Sequence, residues 1–507
     1  MQTNVLEYLE KTVNEVPDKV AFADDKIEIT FKQFYDDCRA IGTYFADSDI
    51  YKEPVLIFMD KSPLTLVSFF GTIYSGNYYV PIDEEMPQRR VELIIENTKA
   101  NVFICTSNTA EKVKQFGFQG KILLFDDMIH TKVNQEKLNE IRAKAIDLDP
   151  IYVLFTSGST GIPKGVVGHH RGVIDYIENL SEVLEFNRET VFGNQSPLYF
   201  DACMKEIYPT MKYGATTYLI PKQLFMFPVK LVEFMNEKQI NTVCWVVSAL
   251  TMISTFGTFD IVKPKYLHTI AFGSEVFPIK QYNIWKRTLP EASFTNLYGP
   301  TEATGMSCYY KLDREFELDE VIPIGQPFHN TQIILINDEG KAVAKGDVGE
   351  ICIRGTCITH GYYGNEEKTK EVFVQNPLNP YFPDWIYRTG DLGKYNEENQ
   401  LIFISRKDYQ IKHMGHRIEL GEIEANVTLE DRVKAACCIF IKETSKIALF
   451  YVGDITKKEL SVFLKEKLPR YMLPNTIIQL ERLPLTPNGK MNRIEMENIY
   501  KKEKEKK

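Results

Sequence analysis

Short apolar runs alternate with helical patterns through the first part of the chain, and that rhythm limits the fold more than any other feature. Val55-Leu56-Ile57-Phe58-Met59, Tyr78-Tyr79-Val80-Pro81, Val102-Phe103-Ile104-Cys105 and Ile122-Leu123-Leu124-Phe125 read as buried strands. Helical periodicity occupies residues 62–75 and 89–98 between them. Parallel strands need a crossover long enough to hold a helix, so this alternation predicts a parallel α/β sheet. Near the N-terminus, Ile27-Glu28-Ile29-Thr30 and Phe31-Lys32-Gln33-Phe34 predict a strand and then a helix capped by Thr30. The α/β rhythm runs to about residue 320. A β-rich stretch follows, with strands over 332–336 and 349–354 separated by Gly- and Asp-containing turns. After residue 408 a smaller α+β unit is predicted, with a helix over 419–428, a strand over 435–441 and a helix over 457–467. The charged tail 501–507 reads as frayed. A chain of 507 residues exceeds one core and calls for two or three domains of roughly 100–200 residues.

The formal net charge of -9 argues against a nucleic-acid partner, which would require a basic face. No apolar stretch is long enough to span a bilayer, and the N-terminus lacks the basic and apolar regions of a signal peptide, so no membrane association is expected. The nine cysteines are scattered, without a C-x-x-C pair, which fits reduced thiols and a cytoplasmic location.

The segment Thr156-Ser157-Gly158-Ser159-Thr160-Gly161-Ile162-Pro163-Lys164-Gly165 follows the apolar run Tyr152-Val153-Leu154-Phe155. Its three glycines let backbone approach an anion, its four hydroxyls can donate, and Lys164 supplies charge where a strand ends. The segment therefore reads as a phosphate cradle for a nucleotide triphosphate. No Gly-Lys pair is followed by Ser or Thr, which disfavours a P-loop and points to a different ATP chemistry.

Further blocks follow in order: Asn296-Leu297-Tyr298-Gly299-Pro300-Thr301-Glu302-Ala303-Thr304, Tyr387-Arg388-Thr389-Gly390-Asp391, Ser405-Arg406-Lys407-Asp408, Arg417-Ile418-Glu419-Leu420-Gly421-Glu422 and Leu485-Thr486-Pro487-Asn488-Gly489-Lys490. With the phosphate loop, they make the chain resemble the adenylate-forming enzymes over nearly its full length, specifically the amino-acid adenylation domains of peptide synthetases. The resemblance implies a large N-terminal domain of α/β sheets with a β-rich subdomain over 1–407, and a small mobile C-terminal α+β domain over 408–507 hinged at Asp408. It implies ATP and Mg2+ as cofactors. Glu302 would organise the magnesium, since one carboxylate plus substrate phosphates suits an ion that dehydrates reluctantly. Tyr298 offers a face to adenine, beside Gly299 and Thr301, with Asn296 at the exocyclic amine; Asp391 and Arg406 would hold the ribose. Lys490 would reach the substrate carboxylate and α-phosphate, and Lys412 would lie on the face used for thioester formation.

The same resemblance places Asp201 against a substrate ammonium. A buried charge is costly unless paired, which favours an amino acid over a fatty or aryl acid. The remaining wall would be Ala202, Lys205, Cys244, Ile270, Phe272, Leu297, Gly305 and Met306, with Phe272 and Leu297 shortening the pocket. Lys205 has two readings: it pairs with an acidic or polar substrate side chain, or it snorkels outward and contributes only its stem. Glu206-Ile207-Tyr208-Pro209 and Gly273-Ser274-Glu275 are similar to the stand-alone D-alanine:D-alanyl carrier protein ligases, whereas Lys205, Phe272 and Ile418-Glu419-Leu420 depart from them. The expected partner is a separate carrier protein bearing a phosphopantetheine arm. An acyl-CoA ligase and a non-catalytic nucleotide-binding scaffold are the alternatives.

Overall fold

The computed structural model describes residues 2–48, 50–158, 162–408, 410–485 and 491–505. The chain forms two compact units. The first comprises Met1–Glu84, Thr98–Leu154 and Gly165–Lys407; the second comprises Glu85–Asn97, Phe155–Lys164 and Asp408–Lys507. A single cut at 407 would leave two of these segments out of the second unit. Both are short pieces that its packing recruits from far away in sequence.

The predicted alternation forms a six-stranded sheet in the order Lys121–Leu124, Val102–Cys105, Pro54–Phe58, Tyr78–Ile82, Pro150–Thr156, Lys164–His169. Its central strands pair in parallel, joined by helices such as Pro63–Tyr74. Phe125 opens a short helix rather than ending a strand. Thr30 caps the helix Phe31–Asp47 by accepting from the Gln33 N–H at 3.2 Å.

A nine-stranded sheet carries Thr242–Val246, Thr269–Gly273 and Ser293–Tyr298 side by side in parallel. Their register sets Cys244 beside Ala271 and Gly273 beside Leu297. Side chains alternate across each strand, so the sheet feeds two cores. One holds Cys244, Ala271 and Leu297 with Tyr176 and Met306; the other holds Val243, Trp245, Ile270 and Phe272 with Trp285. A five-stranded sheet follows, in which Trp385–Tyr395 pairs with Gly349–Gly355 and Leu401–Arg406.

In the second unit the hairpin Gln410–His413 with His416–Glu419 turns through Met414 and Gly415, both at positive φ, as a two-residue hairpin of right-handed twist requires. Helix Leu420–Val427, strand Val433–Ile441 and helix Lys457–Lys467 match their predicted spans closely. The tail differs from expectation: Arg493–Glu505 is helical, with Lys501 paired to Glu497 one turn back at 2.7 Å.

Candidate active site

In the first unit, the strand Ser293–Tyr298 ends at a tight loop that brings several predicted residues together. A Cβ at Gly299 would lie 2.2 Å from the Gly305 carbonyl oxygen, so only glycine fits there. Tyr298 is buried and donates its hydroxyl to Asp391 Oδ2 at 2.6 Å, while Arg406 Nη1 bonds Asp391 Oδ1. Burial and the adjoining Asp391 charge push the Tyr298 hydroxyl well above its ordinary range, so it is a permanent donor. The strand pair Trp385–Tyr395 and Leu401–Arg406 sets Asp391 opposite Arg406, which places this charge pair by register. Asn296 donates Nδ2 to the Pro323 carbonyl at 2.8 Å, which fixes its amide with Oδ1 left as an acceptor.

Glu302 follows in a short turn, Thr301–Ala303, and is fully buried. Tyr362 donates to its Oε1 at 2.7 Å, a partner with no motif of its own in the sequence. Among the described residues there is no cluster of three or more His, Cys, Asp or Glu able to hold a metal ion. Glu302, oriented by Tyr362, can offer one carboxylate, which suits Mg2+ completed by phosphate oxygens and water.

Asp201 opens the turn Asp201–Cys203 that leads into the helix Met204–Tyr213. It and Ala202 are half-buried. Burial pushes the Asp201 carboxyl up, the Thr301 hydroxyl and Lys205 pull it down, and Glu302 pushes it up again. Asp201 makes no ion pair with any described residue. Cys244, Leu297 and Met306 lie in the core that holds Tyr176, and Gly305 adopts φ +93 with its missing Cβ 3.0 Å from the Tyr176 ring. Ile270 and Phe272 do not join this wall. Strand alternation turns Ala271 to the Cys244 side and sends both of them to the opposite core, where Phe272 meets Phe277 edge-on at 4.8 Å. Phe272 therefore does not shorten the pocket, and Ala271, missed in the sequence, stands in its place. Lys205 does not snorkel: the whole residue is 1% exposed.

Behind the same helix, Glu206 is buried and accepts from Asn194 Nδ2 at 3.2 Å, and Lys61 Nζ donates to the Asn194 and Gln195 carbonyls at 3.0 and 3.1 Å. Burial drives the Glu206 carboxyl up to about 8 and the Lys61 ammonium down to about 7.

The phosphate loop belongs to the second unit. Ser159 and Thr160 lie outside the described residues, as does Lys490. Thr156 Oγ1 is 3.5 Å from the Lys164 carbonyl. Ser157 donates to the Arg417 carbonyl at 2.8 Å and accepts from the Glu419 N–H at 3.2 Å. Lys164 Nζ stands 3.7 Å from Glu419 Oε1. The Gly158 N–H donates to Glu422 Oε2 at 3.1 Å, and Glu422 Oε1 pairs with Arg90 at 2.5 Å. An anion does occupy the loop's backbone donor, but it is a protein carboxylate that sequence reading had not connected to it. Asp408 caps Gln410 N–H at 3.1 Å, and Lys412 is half-buried in the hairpin opposite Arg417.

The AMP-binding enzyme family matches residues 9–363, and the AMP-binding enzyme C-terminal domain matches residues 422–490. The chain belongs to the AMP-binding enzymes. This is a family of ATP-dependent, AMP-forming ligases, as the motifs led us to expect. Among its relatives, bacitracin synthase 1 of Bacillus licheniformis is 29% identical over 96% of this chain, which covers 9% of that synthase. An artificially fused adenylation–PCP di-domain peptide synthetase from Klebsiella oxytoca shares the fold, with TM-score 0.80, 19% identity and 94% of each chain covered. So does the o-succinylbenzoate CoA synthetase of Bacillus subtilis, with TM-score 0.84, 17% identity and 98% of each chain covered. All nine cysteines are free and buried, and no helix among the described residues is long and apolar enough to cross a membrane.

Proposed function

We propose that this AMP-binding enzyme adenylates an amino acid and passes the aminoacyl group to the phosphopantetheine thiol of a separate carrier protein. The observation that carries the amino-acid part is Asp201, a carboxylate pushed up by burial and acted on by Thr301, Lys205 and Glu302, yet without an ion-pair partner among the described residues. A substrate ammonium supplies that partner. The substrate carboxylate oxygen attacks the α-phosphorus of ATP; the bond to the pyrophosphate oxygen breaks, and its electron pair leaves with pyrophosphate. Tyr298, Asp391 and Arg406 orient the nucleoside, and Asn296 Oδ1 accepts from the adenine amine. Glu302 would hold Mg2+, which neutralises phosphate charge when bound. Thr156, Ser157, Gly158 and Lys164 would cradle phosphate oxygens, with ATP taking the Gly158 N–H from Glu422. Lys490 would stabilise charge between carboxylate and α-phosphate. The thiol then attacks the acyl carbon and AMP departs.

Amino-acid-dependent exchange of pyrophosphate into ATP tests the first step. One or a few amino acids should support exchange, and Lys490→Ala should lower it by more than about 100-fold with ATP binding retained. Near-normal exchange in that variant would remove Lys490 from the mechanism. The CoA synthetase of like fold keeps an acyl-CoA ligase as the second reading; transfer to free CoA in preference to a holo-carrier protein would establish it. D-Alanine, the substrate of the ligase subgroup noted above, enters the same exchange panel. No exchange with any acid would leave a nucleotide-binding scaffold.

A further inference from the structure

Lys205 is the second residue of the helix Met204–Tyr213, 1% exposed, and its ammonium makes no hydrogen bond or ion pair with any described residue. Pro209, four residues on, has no N–H to offer the Lys205 carbonyl. An ammonium held out of water without a counterion costs several kcal/mol. Such a residue is retained only where something else supplies the anion.

The charges around it leave that place open. Asp201, Cys203, Glu206 and Cys244 all feel the Lys205 charge. Glu206 feels the Lys205 charge ahead of that of Lys61, so the two lysines face two carboxylates, Asp201 and Glu206, and the four groups sum to zero. Both cysteine thiols are pushed up by burial and stay neutral. A bound amino acid claims Asp201 for its own ammonium, which leaves this set of charges one positive in excess, and Lys205 is the cation that acts on Asp201.

Taking the adenylation reading above as its premise, we propose that Lys205 receives a carboxylate on the substrate's side chain, so that the enzyme activates an acidic amino acid of aspartate or glutamate type. A second donor is in place: the Tyr176 hydroxyl is buried, the Met306 N–H acts on it only as a donor, and its own hydrogen has no acceptor among the described residues; it is acted on by Asp201 and Cys244, and its ring backs Gly305. A carboxylate can accept from both groups, whereas an alanine methyl would leave both unanswered. Leu297 and Met306 close the apolar remainder.

The test is pyrophosphate exchange by the intact enzyme with aspartate, asparagine, glutamate, glutamine, alanine and glycine, both enantiomers where they exist. Aspartate or glutamate should exceed its own amide and alanine by at least about tenfold in kcat/KM. A neutral amino acid that matches or exceeds both acids overturns the assignment of Lys205 and leaves the adenylation reading intact. No exchange with any amino acid overturns the adenylation reading and this inference with it. Lys205→Met should bring the acid-to-amide ratio to one or below while the KM for ATP stays within about twofold; an unchanged ratio refutes the contact. Should that variant not fold, calorimetry on the unaltered enzyme decides: the aspartyl or glutamyl sulfamoyladenosine should bind at least about tenfold tighter than its amide counterpart, and equal affinity refutes the proposal.

Discussion

Tyr298 performs two tasks with one side chain: its ring closes the end of the strand Ser293–Tyr298, and its hydroxyl fixes one oxygen of Asp391 while Arg406 fixes the other. Asp391 is thereby held in place, as the proposed ribose contact requires. A hydrogen bond to a charged group contributes about 1.5–3 kcal/mol. Tyr298→Phe should therefore raise the KM for ATP about tenfold or more with kcat little changed, read from the ATP dependence of exchange; an unaltered KM would show that Arg406 suffices. The individual residues Asn296, Tyr298, Glu302, Asp391 and Arg406 were legible because each lies in a contiguous motif. Tyr362 was not, since a tyrosine sixty residues from Glu302 in sequence carries no local signal of the bond it makes.

At the scale of elements, capping and alternation explain both what was anticipated and what was missed. Helix His170–Leu184 starts on His169, whose Nδ1 accepts from the Gly172 N–H at 3.0 Å while Nε2 lies 3.0 Å from the Ile358 carbonyl. Accepting at one nitrogen and donating at the other fixes a neutral ring, and burial holds it down to about 4. A pKa depressed in the folded state gives stability that is present above the unfolded value near 6.5 and lost as pH falls through 4. His169→Asn keeps a cap without a titrating group. The variant should lose less stability than the parent between pH 6.5 and 4, by on the order of 2–3 kcal/mol, measured by denaturant unfolding at each pH. Parallel slopes would show that His169 takes up its proton alike in the folded and unfolded states. Strand Thr269–Gly273 shows the other side: its five residues are all buried, so the apolar pattern has no period from which to tell faces. Only pairing to Cys244 and Leu297 shows that Ala271 shares the Asp201 side and Phe272 does not.

For the whole molecule, the proposed transfer would need the acyl-adenylate to meet a thiol, and we propose that a hinge at Asp408, the first residue of the last segment of the second unit, would serve that step. Proline there would fix φ and restrict the residue before it. Asp408→Pro should leave pyrophosphate exchange within about twofold and lower aminoacyl transfer to the carrier by more than tenfold. Equal loss of both steps would remove the hinge from this position. The amino-acid sequence alone determined the α/β alternation and the family, and it supplied most of the residues proposed to face the nucleotide, because each rests on local periodicity or on a contiguous motif. Tertiary structure decided which side of the nine-stranded sheet builds the amino-acid wall, that residues 85–97 and 155–164 belong with the C-terminal segment, and that Glu422 sits on the Gly158 N–H. It also decided that Lys205 is buried without an ion pair to any described residue. Burial, register and charge pairing are relations between residues far apart in the chain, and a linear pattern does not contain them.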